Sequence, residues 1–322
     1  IENLFRLVRP ELCEVEVRLR EEAAASLKCV DAMNRYLHES GGKRLRPTLL
    51  LLVSRMCGAD GDSSIRLGVV VELIHVATLV HDDIIDHSDT RRGRPSLNAR
   101  WGSEITVLFG DWLYMTAFRI ALEEEKFRIL EVLIDITRKM VEGELLQLEQ
   151  NYNLDSTMDD YLRICLHKTA HLFSGCGRLG AMLADSSAEV EQDLSEFGRS
   201  LGMAFQITDD LLDYTSAEKT LGKPVLKDLE EGNVTLPIIE LMNSADSRDQ
   251  AFIRRVVDER DFSMENKRKI IELVGRYRSI EKSRRLAHQY TDKARRRLER
   301  VDDSVYRQAL LALPDLVLNR SK

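Results

Sequence analysis

Apolar residues return every three to four positions along most of the chain, the period of a helix with one face turned inward. The clearest run is Ser64 to Asp86, where Leu67, Val70, Val71, Ile74, Ala77 and Val80 keep that period up to a group of acidic residues. Similar patterns predict helices over Glu11–Leu37, from Arg46-Pro47 onward, and over Trp101–Leu122, Phe127–Gln150, Met158–Leu183 and Ala188–Tyr214. Several shorter, more charged helices are expected between Thr235 and Leu318. Gly41-Gly42 stops the first helix, and Pro47 is tolerated in the next because a first helical turn needs no amide donor. Two segments break the pattern: Ser88 to Asn98, a cationic loop with Arg91, Arg92, Gly93, Arg94 and Pro95, and Ser216 to Gly232, with Lys219, Lys223 and Lys227. No series of short Val/Ile/Thr runs separated by turn signals occurs, so the expected fold class is all-α, with residues 1–322 as a single domain.

Composition narrows the function classes. The 322 residues are 43% hydrophobic and 31% charged, the balance of a chain with a sizeable core. The net charge of −7 argues against a broad nucleic-acid surface. The basic stretch from Arg254 to Arg300 interleaves acidic and apolar residues, as a solvated helix face does. Five cysteines with no Cys-x-x-Cys pair indicate neither a disulfide framework nor a zinc site. No apolar run approaches the ~18 residues of a membrane span and no signal-peptide pattern is evident, so a cytoplasmic location is expected.

Two acidic clusters carry the chemistry: Asp82-Asp83-Ile84-Ile85-Asp86 and Asp209-Asp210-Leu211-Leu212-Asp213. On a helix the first and last Asp of each set point the same way, about 6 Å apart along the axis. Each set suits Mg²⁺, a hard cation that uses one or two carboxylates and lets substrate phosphates complete its shell. The pair therefore points to chemistry on a diphosphate. A lone set is more readily an acidic helix end facing water, but both copies place Ile or Leu between the acids, bringing each acidic stripe against an apolar one.

Five ordered motifs extend this pattern: Gly42-Lys43-Arg44-Leu45-Arg46-Pro47; His75 to Asp86; Arg91-Arg92-Gly93; Lys168-Thr169; and Phe205-Gln206 through Asp213 with Gly222-Lys223. In these motifs the chain resembles the trans-isoprenyl diphosphate synthases, over nearly its whole length and closest to the long-chain polyprenyl members. The resemblance implies one large helical bundle around a central cavity, and a homodimer. It implies that Asp82, Asp86 and Asp209 hold Mg²⁺, with Asp83, Asp210 and Asp213 completing or orienting the shells. It gives Arg91, Lys168 and Lys223 to an allylic diphosphate such as geranyl or farnesyl diphosphate, with Thr169 and Gln206 as polar partners. Lys43, Arg46, His75 and Arg92 would grip isopentenyl diphosphate. The reaction implied is head-to-tail prenyl transfer, with no Ser/His/Asp or Cys/His nucleophile.

The resemblance also places product length just before the first acidic set. Aromatic residues at the positions of Ala77 and Thr78 give short products in the family, so these small residues imply a passage open beyond the farnesyl stage, with at most peripheral membrane contact by the lipid product. Leu133, Ile136 and Met140 are candidates for a deeper floor. One departure stands out: related chains often carry Lys after the Glu-Gly of the loop following the second set, where this chain has Gly232-Asn233, leaving Lys227 or Lys219 to substitute. Competing readings are a short-chain synthase, a class I terpene cyclase, a regulatory subunit, and a His-Asp metal phosphohydrolase suggested by the His81-Asp82 doublet. Taken without the family, His75 on a buried face is more often a packed histidine than a ligand.

Overall fold

The computed structural model describes residues 5–22, 27–39, 41–59, 61–215 and 226–319, which form two compact units. The first comprises residues 1–137, 172–196 and 300–312; the second comprises 138–171, 197–299 and 313–322. Among the described residues every regular element but one small ribbon is helical, as the 3.6-residue period requires.

In the first unit the helices are α1 (Arg9–Glu22), α2 (Lys28–Glu39), α3 (Leu45–Met56), α4 (Asp62–Ile85), α5 (Leu97–Trp101) and α6 (Ser103–Leu122). The helix expected over Glu11–Leu37 is thus described as two, with residues 23–26 between them outside the described set. Helix α4 packs against α1, α3 and α6, and it is buried without interruption from Leu67 to Ile74. An element surrounded in this way needs apolar residues on all sides. Its one acidic residue in that stretch, Glu72, is matched by Arg44, whose Nη1 donates at 2.6 Å. Mean hydropathy makes α4 and α6 apolar enough to cross a membrane, contrary to the reading from sequence. Much of that apolar surface is instead buried against neighbouring helices of the same unit.

The cationic loop is more ordered than its composition suggests. Thr90–Arg91 and Arg94–Pro95 pair as antiparallel strands. The two residues joining them, Arg92 and Gly93, both have positive φ (53° and 76°). This is the tight hairpin turn whose twist matches that of the strands, and glycine adopts its second position without strain.

Further along the chain lie α7 (Phe127–Glu149), α8 (Met158–Cys165), a π-helical turn (Leu166–Ala170), α9 (His171–Leu183) and α10 (Ala188–Thr215). They are followed by α11 (Lys227–Glu230), α12 (Leu236–Ser244), α13 (Ser247–Asp258), α14 (Met264–Arg276), α15 (Ser279–Arg297) and α16 (Val305–Leu318). Thr157 starts α8 with a full capping box shared with Asp160. The second unit is cored by two apolar clusters, one around Tyr214, Ile238 and Ile253 and one around Tyr161, Ile207 and Leu211. The helix expected over Met158–Leu183 is interrupted by the π-helical turn. The segment read as a loop to Gly232 contains the short helix α11, while Lys219, Gly222 and Lys223 lie outside the described residues.

Candidate active site

The first acidic set ends α4, and its three carboxylates have different surroundings. Asp82 and Asp86 are half-buried, whereas Asp83 is buried and accepts from Arg91 Nε at 2.8 Å through both oxygens. Close to them in the same unit, Arg44, Arg46, Arg91 and Arg92 gather around His75. Burial and then these guanidiniums hold the His75 imidazole well below its usual range. Desolvation, Arg91 and Arg44 also push the Arg92 guanidinium down. Arg92 donates to the Gly41 carbonyl, Arg46 lies 4.9 Å over the Phe173 ring, and Lys43 is exposed at the mouth of the basic loop. Arg44 sits in the left-handed region, clamped by Glu16 and Glu72, which fixes the bend between Lys43 and Arg46. A cavity of about 70 Å³ lies among Arg44, Glu72, His75, Asp83, Arg91 and Arg92.

The depressed histidine has a measurable consequence. A neutral His75 in the native state binds fewer protons than the unfolded chain below about pH 6.5, so stability is present above that pH and is lost as pH falls. His38, lowered by burial and by Arg44, acts in the same direction. Melting temperature is expected to drop between pH 7.5 and 5.5, and His75→Gln to flatten that slope in thermal scans.

In the second unit the acidic set divides in the same way. Asp209 is exposed and Asp210 is buried. Asp210 accepts from the Tyr161 hydroxyl at 2.6 Å and from Gln206 Nε2 at 2.7 Å, while Gln206 Oε1 accepts from Thr169 at 2.6 Å. Asp213 accepts the backbone amides of Lys227 and Asp228, both at 3.2 Å, and so ties α11 to α10. Burial pushes the Asp210 carboxyl up to about 7, and burial with Asp213 nearby raises Asp228 well above the usual carboxylate range. Lys168 rides on the π-helical turn, where an extra residue re-aims the side chains. Its Nζ donates to Glu144 at 2.9 Å and to Gln147 at 3.0 Å. Gly143 makes that approach possible, since a Cβ there would stand 2.5 Å from the Lys168 amide nitrogen.

The donor chemistry fits Mg²⁺. Among the described residues no preassembled group of three or more side-chain ligands occurs. An ion that takes only one or two carboxylates and completes its shell from water and phosphate does not need one. Carboxylic acids raised by burial and by one another mark a place where a divalent cation would relieve repulsion. Asp228, Tyr161, Glu144 and Gln147 contact the expected site residues and were not singled out from sequence. The Gly143-Glu144 pair with Gln147 one turn later was the only signal available for the last two.

Other expectations can be placed as well. The His81 ring donates from Nε2 to the Val107 carbonyl of α6 at 3.1 Å, and a Cβ on Gly110 would strike that ring. His81 is therefore an anchor between helices. Ala77 has no exposed surface, whereas Thr78 is half-buried and donates to the His75 carbonyl at 2.7 Å. Leu133, Ile136 and Met140 are buried. Lys227 pairs with Glu231 at 2.8 Å, and the Asn233 amide donates to the Asp228 carbonyl at 2.8 Å.

Comparison with known proteins gives the family. The polyprenyl synthetase family model matches residues 27–274. The sequence is 33% identical to an octaprenyl diphosphate synthase of Haemophilus influenzae, over 100% of this chain and 97% of the relative. The structure superposes with a TM-score of 0.95 on a decaprenyl diphosphate synthase from Rhodobacter capsulatus, at 35% identity over 100% of this chain and 99% of the other. It superposes at 0.94 on a polyprenyl synthase from Caulobacter crescentus complexed with calcium and isoprenyl diphosphate, at 34% identity over 99% and 97% of the two chains.

Proposed function

Because the chain belongs to the polyprenyl synthetase family, we propose that it condenses an allylic diphosphate with isopentenyl diphosphate, repeatedly, to a long all-trans polyprenyl diphosphate. The observation that carries this reading is the common division of the two acidic sets: a buried inner Asp held by neighbouring side chains, beside outer ones that are more accessible. Bound Mg²⁺ would neutralise diphosphate charge and promote loss of the allylic leaving group, with Asp82, Asp86 and Asp209 as its holders. Arg91, Lys168, Thr169 and Gln206 serve the allylic diphosphate, as does Lys223. Lys43, Arg46, His75 and Arg92 serve isopentenyl diphosphate, where guanidiniums gathered around His75 offer charged donors to a phosphate.

As the allylic C–O bond breaks, its electron pair leaves with the diphosphate, and Arg91 and Lys168 exchange their carboxylate partners for the growing phosphate charge. The isopentenyl double bond then attacks the allylic carbon. Loss of one proton, taken by the departed diphosphate, restores an alkene. Apolar walls around the site keep water from the cation. Length beyond the farnesyl stage agrees with small residues at Ala77 and Thr78, and with relatives named for octaprenyl and decaprenyl products.

A homodimer is supported by two unpartnered apolar stripes. On α6 they are Ile105, Leu108, Trp112, Met115 and Leu122, and on α7 Phe127, Ile134, Val141, Leu145 and Leu148. The spacing is that of a helix-packing seam, and Leu108 and Met115 are 67% and 63% exposed. Leu108→Asp is expected to give monomer in size-exclusion chromatography with light scattering. The protein acts from the cytoplasm, touching the membrane at most peripherally as product leaves. The activity itself is tested with purified chain, Mg²⁺, geranyl or farnesyl diphosphate and labelled isopentenyl diphosphate. Labelled product of eight or more prenyl units is the expected result, and no incorporation would overturn the reading.

A further inference from the structure

Tyr161 has no part in the reaction as derived, yet its hydroxyl makes one of the shortest buried hydrogen bonds in the second unit, 2.6 Å to Asp210 Oδ2. Its ring is 5% exposed and packs with Ile207 and Leu211, the apolar neighbours of the acidic set on α10. Gln206 holds the other oxygen of the same carboxylate, and Thr169 holds Gln206. Asp210 is thus gripped at both oxygens by neutral donors from two directions. On a helix Asp209 stands about 100° round from Asp210, so turning Asp210 inward presents Asp209 to solvent.

We propose that Tyr161 is a positioning residue for the divalent cation: by fixing Asp210 inward through Oδ2 it sets the orientation in which Asp209 receives metal. The inference rests on the assignment of the second acidic set to Mg²⁺. A group that orients a ligand without touching the ion characteristically changes metal affinity about 10–100-fold when removed. Tyr161→Phe deletes the one oxygen and keeps the packed ring.

The test uses Mn²⁺ as the probe, followed by electron paramagnetic resonance on the intact protein with inorganic pyrophosphate. Tyr161→Phe is expected to weaken Mn²⁺ binding about 10-fold and to raise the Mg²⁺ concentration for half-maximal activity equally. At saturating metal the KM for isopentenyl diphosphate should stay within about twofold of the parent. Mn²⁺ affinity equal to the parent in a folded Tyr161→Phe protein overturns the proposal. Asp209→Ala separates the two levels of inference. If that variant binds Mn²⁺ like the parent, the acidic set is not the metal site; if it loses Mn²⁺ while Tyr161→Phe does not, only the positioning role fails. Should Tyr161→Phe leave the buried carboxylate too costly for folding, the same change is made in an Asp210→Asn background. There it should alter Mn²⁺ affinity less than twofold, and a further 10-fold loss would show that Tyr161 does not act through Asp210.

Discussion

Asp82→Ala is expected to lower kcat/KM for prenyl transfer about 1,000-fold, the upper range for deleting one preorganised electrostatic group from a site, while raising the melting temperature of the protein without metal. The two effects have one cause. Asp82 and Asp86 lie one turn apart at the C-terminal end of α4, where the helix already presents negative partial charge. Like charges at that spacing are destabilising, and the helix end adds to the cost. A cation and its phosphates turn the arrangement into a favourable one. Substitution therefore relieves the free protein and disables the loaded one, a trade of stability against activity expected of sites built for an absent charge. Steady-state kinetics with labelled isopentenyl diphosphate, together with thermal scans in chelator, would check both halves. A loss of activity with a lowered melting temperature would mean that Asp82 supports the fold instead.

The second large effect concerns product length. Thr78→Phe is expected to shorten the product, read by reverse-phase chromatography, because Thr78 retains accessible surface one turn before Asp82. Ala77→Phe is expected to act differently, although the two residues are neighbours. Ala77 is fully enclosed, so an aromatic ring must displace neighbours, at about 1–3 kcal/mol of stability. A chain of this size should then melt about 2–4 °C lower for each kcal/mol lost. An unchanged long product from Thr78→Phe would move the length determinant elsewhere, with Leu133, Ile136 and Met140 the next positions to vary.

The periodicity of Leu67 to Val80 was enough to identify α4, and the acidic sets identified the chemistry, because both signals are local and repeat at helical spacing. What stayed hidden depended on partners distant in sequence. Arg91 reads as a loop cation, and only the hairpin turn at Arg92-Gly93 brings its Nε onto Asp83. Tyr161 reads as an ordinary apolar position of α8, because nothing in its neighbourhood reveals that its hydroxyl meets a carboxylate 49 residues later. His81 carried a misleading local signal, a His-Asp doublet, whose meaning changed once Val107 and Gly110 supplied its surroundings. The helix over Met158–Leu183 was legible as a whole but not in its pitch, since a π-helical turn keeps the apolar period on either side and shifts it only across Leu166–Ala170.

That local change of pitch gives the protein an unusual sensitivity to length. A helix carrying one surplus residue can lose it and close into regular α geometry, so a one-residue deletion between Leu166 and Ala170 would spare the helix while rotating Lys168 by about 100° relative to the residues beyond it. Most catalytic side chains are vulnerable to replacement. Lys168 is vulnerable also to counting, and descent with a single codon lost from this turn would leave a protein that folds, keeps every acidic residue, and no longer aims its lysine at Glu144 and Gln147.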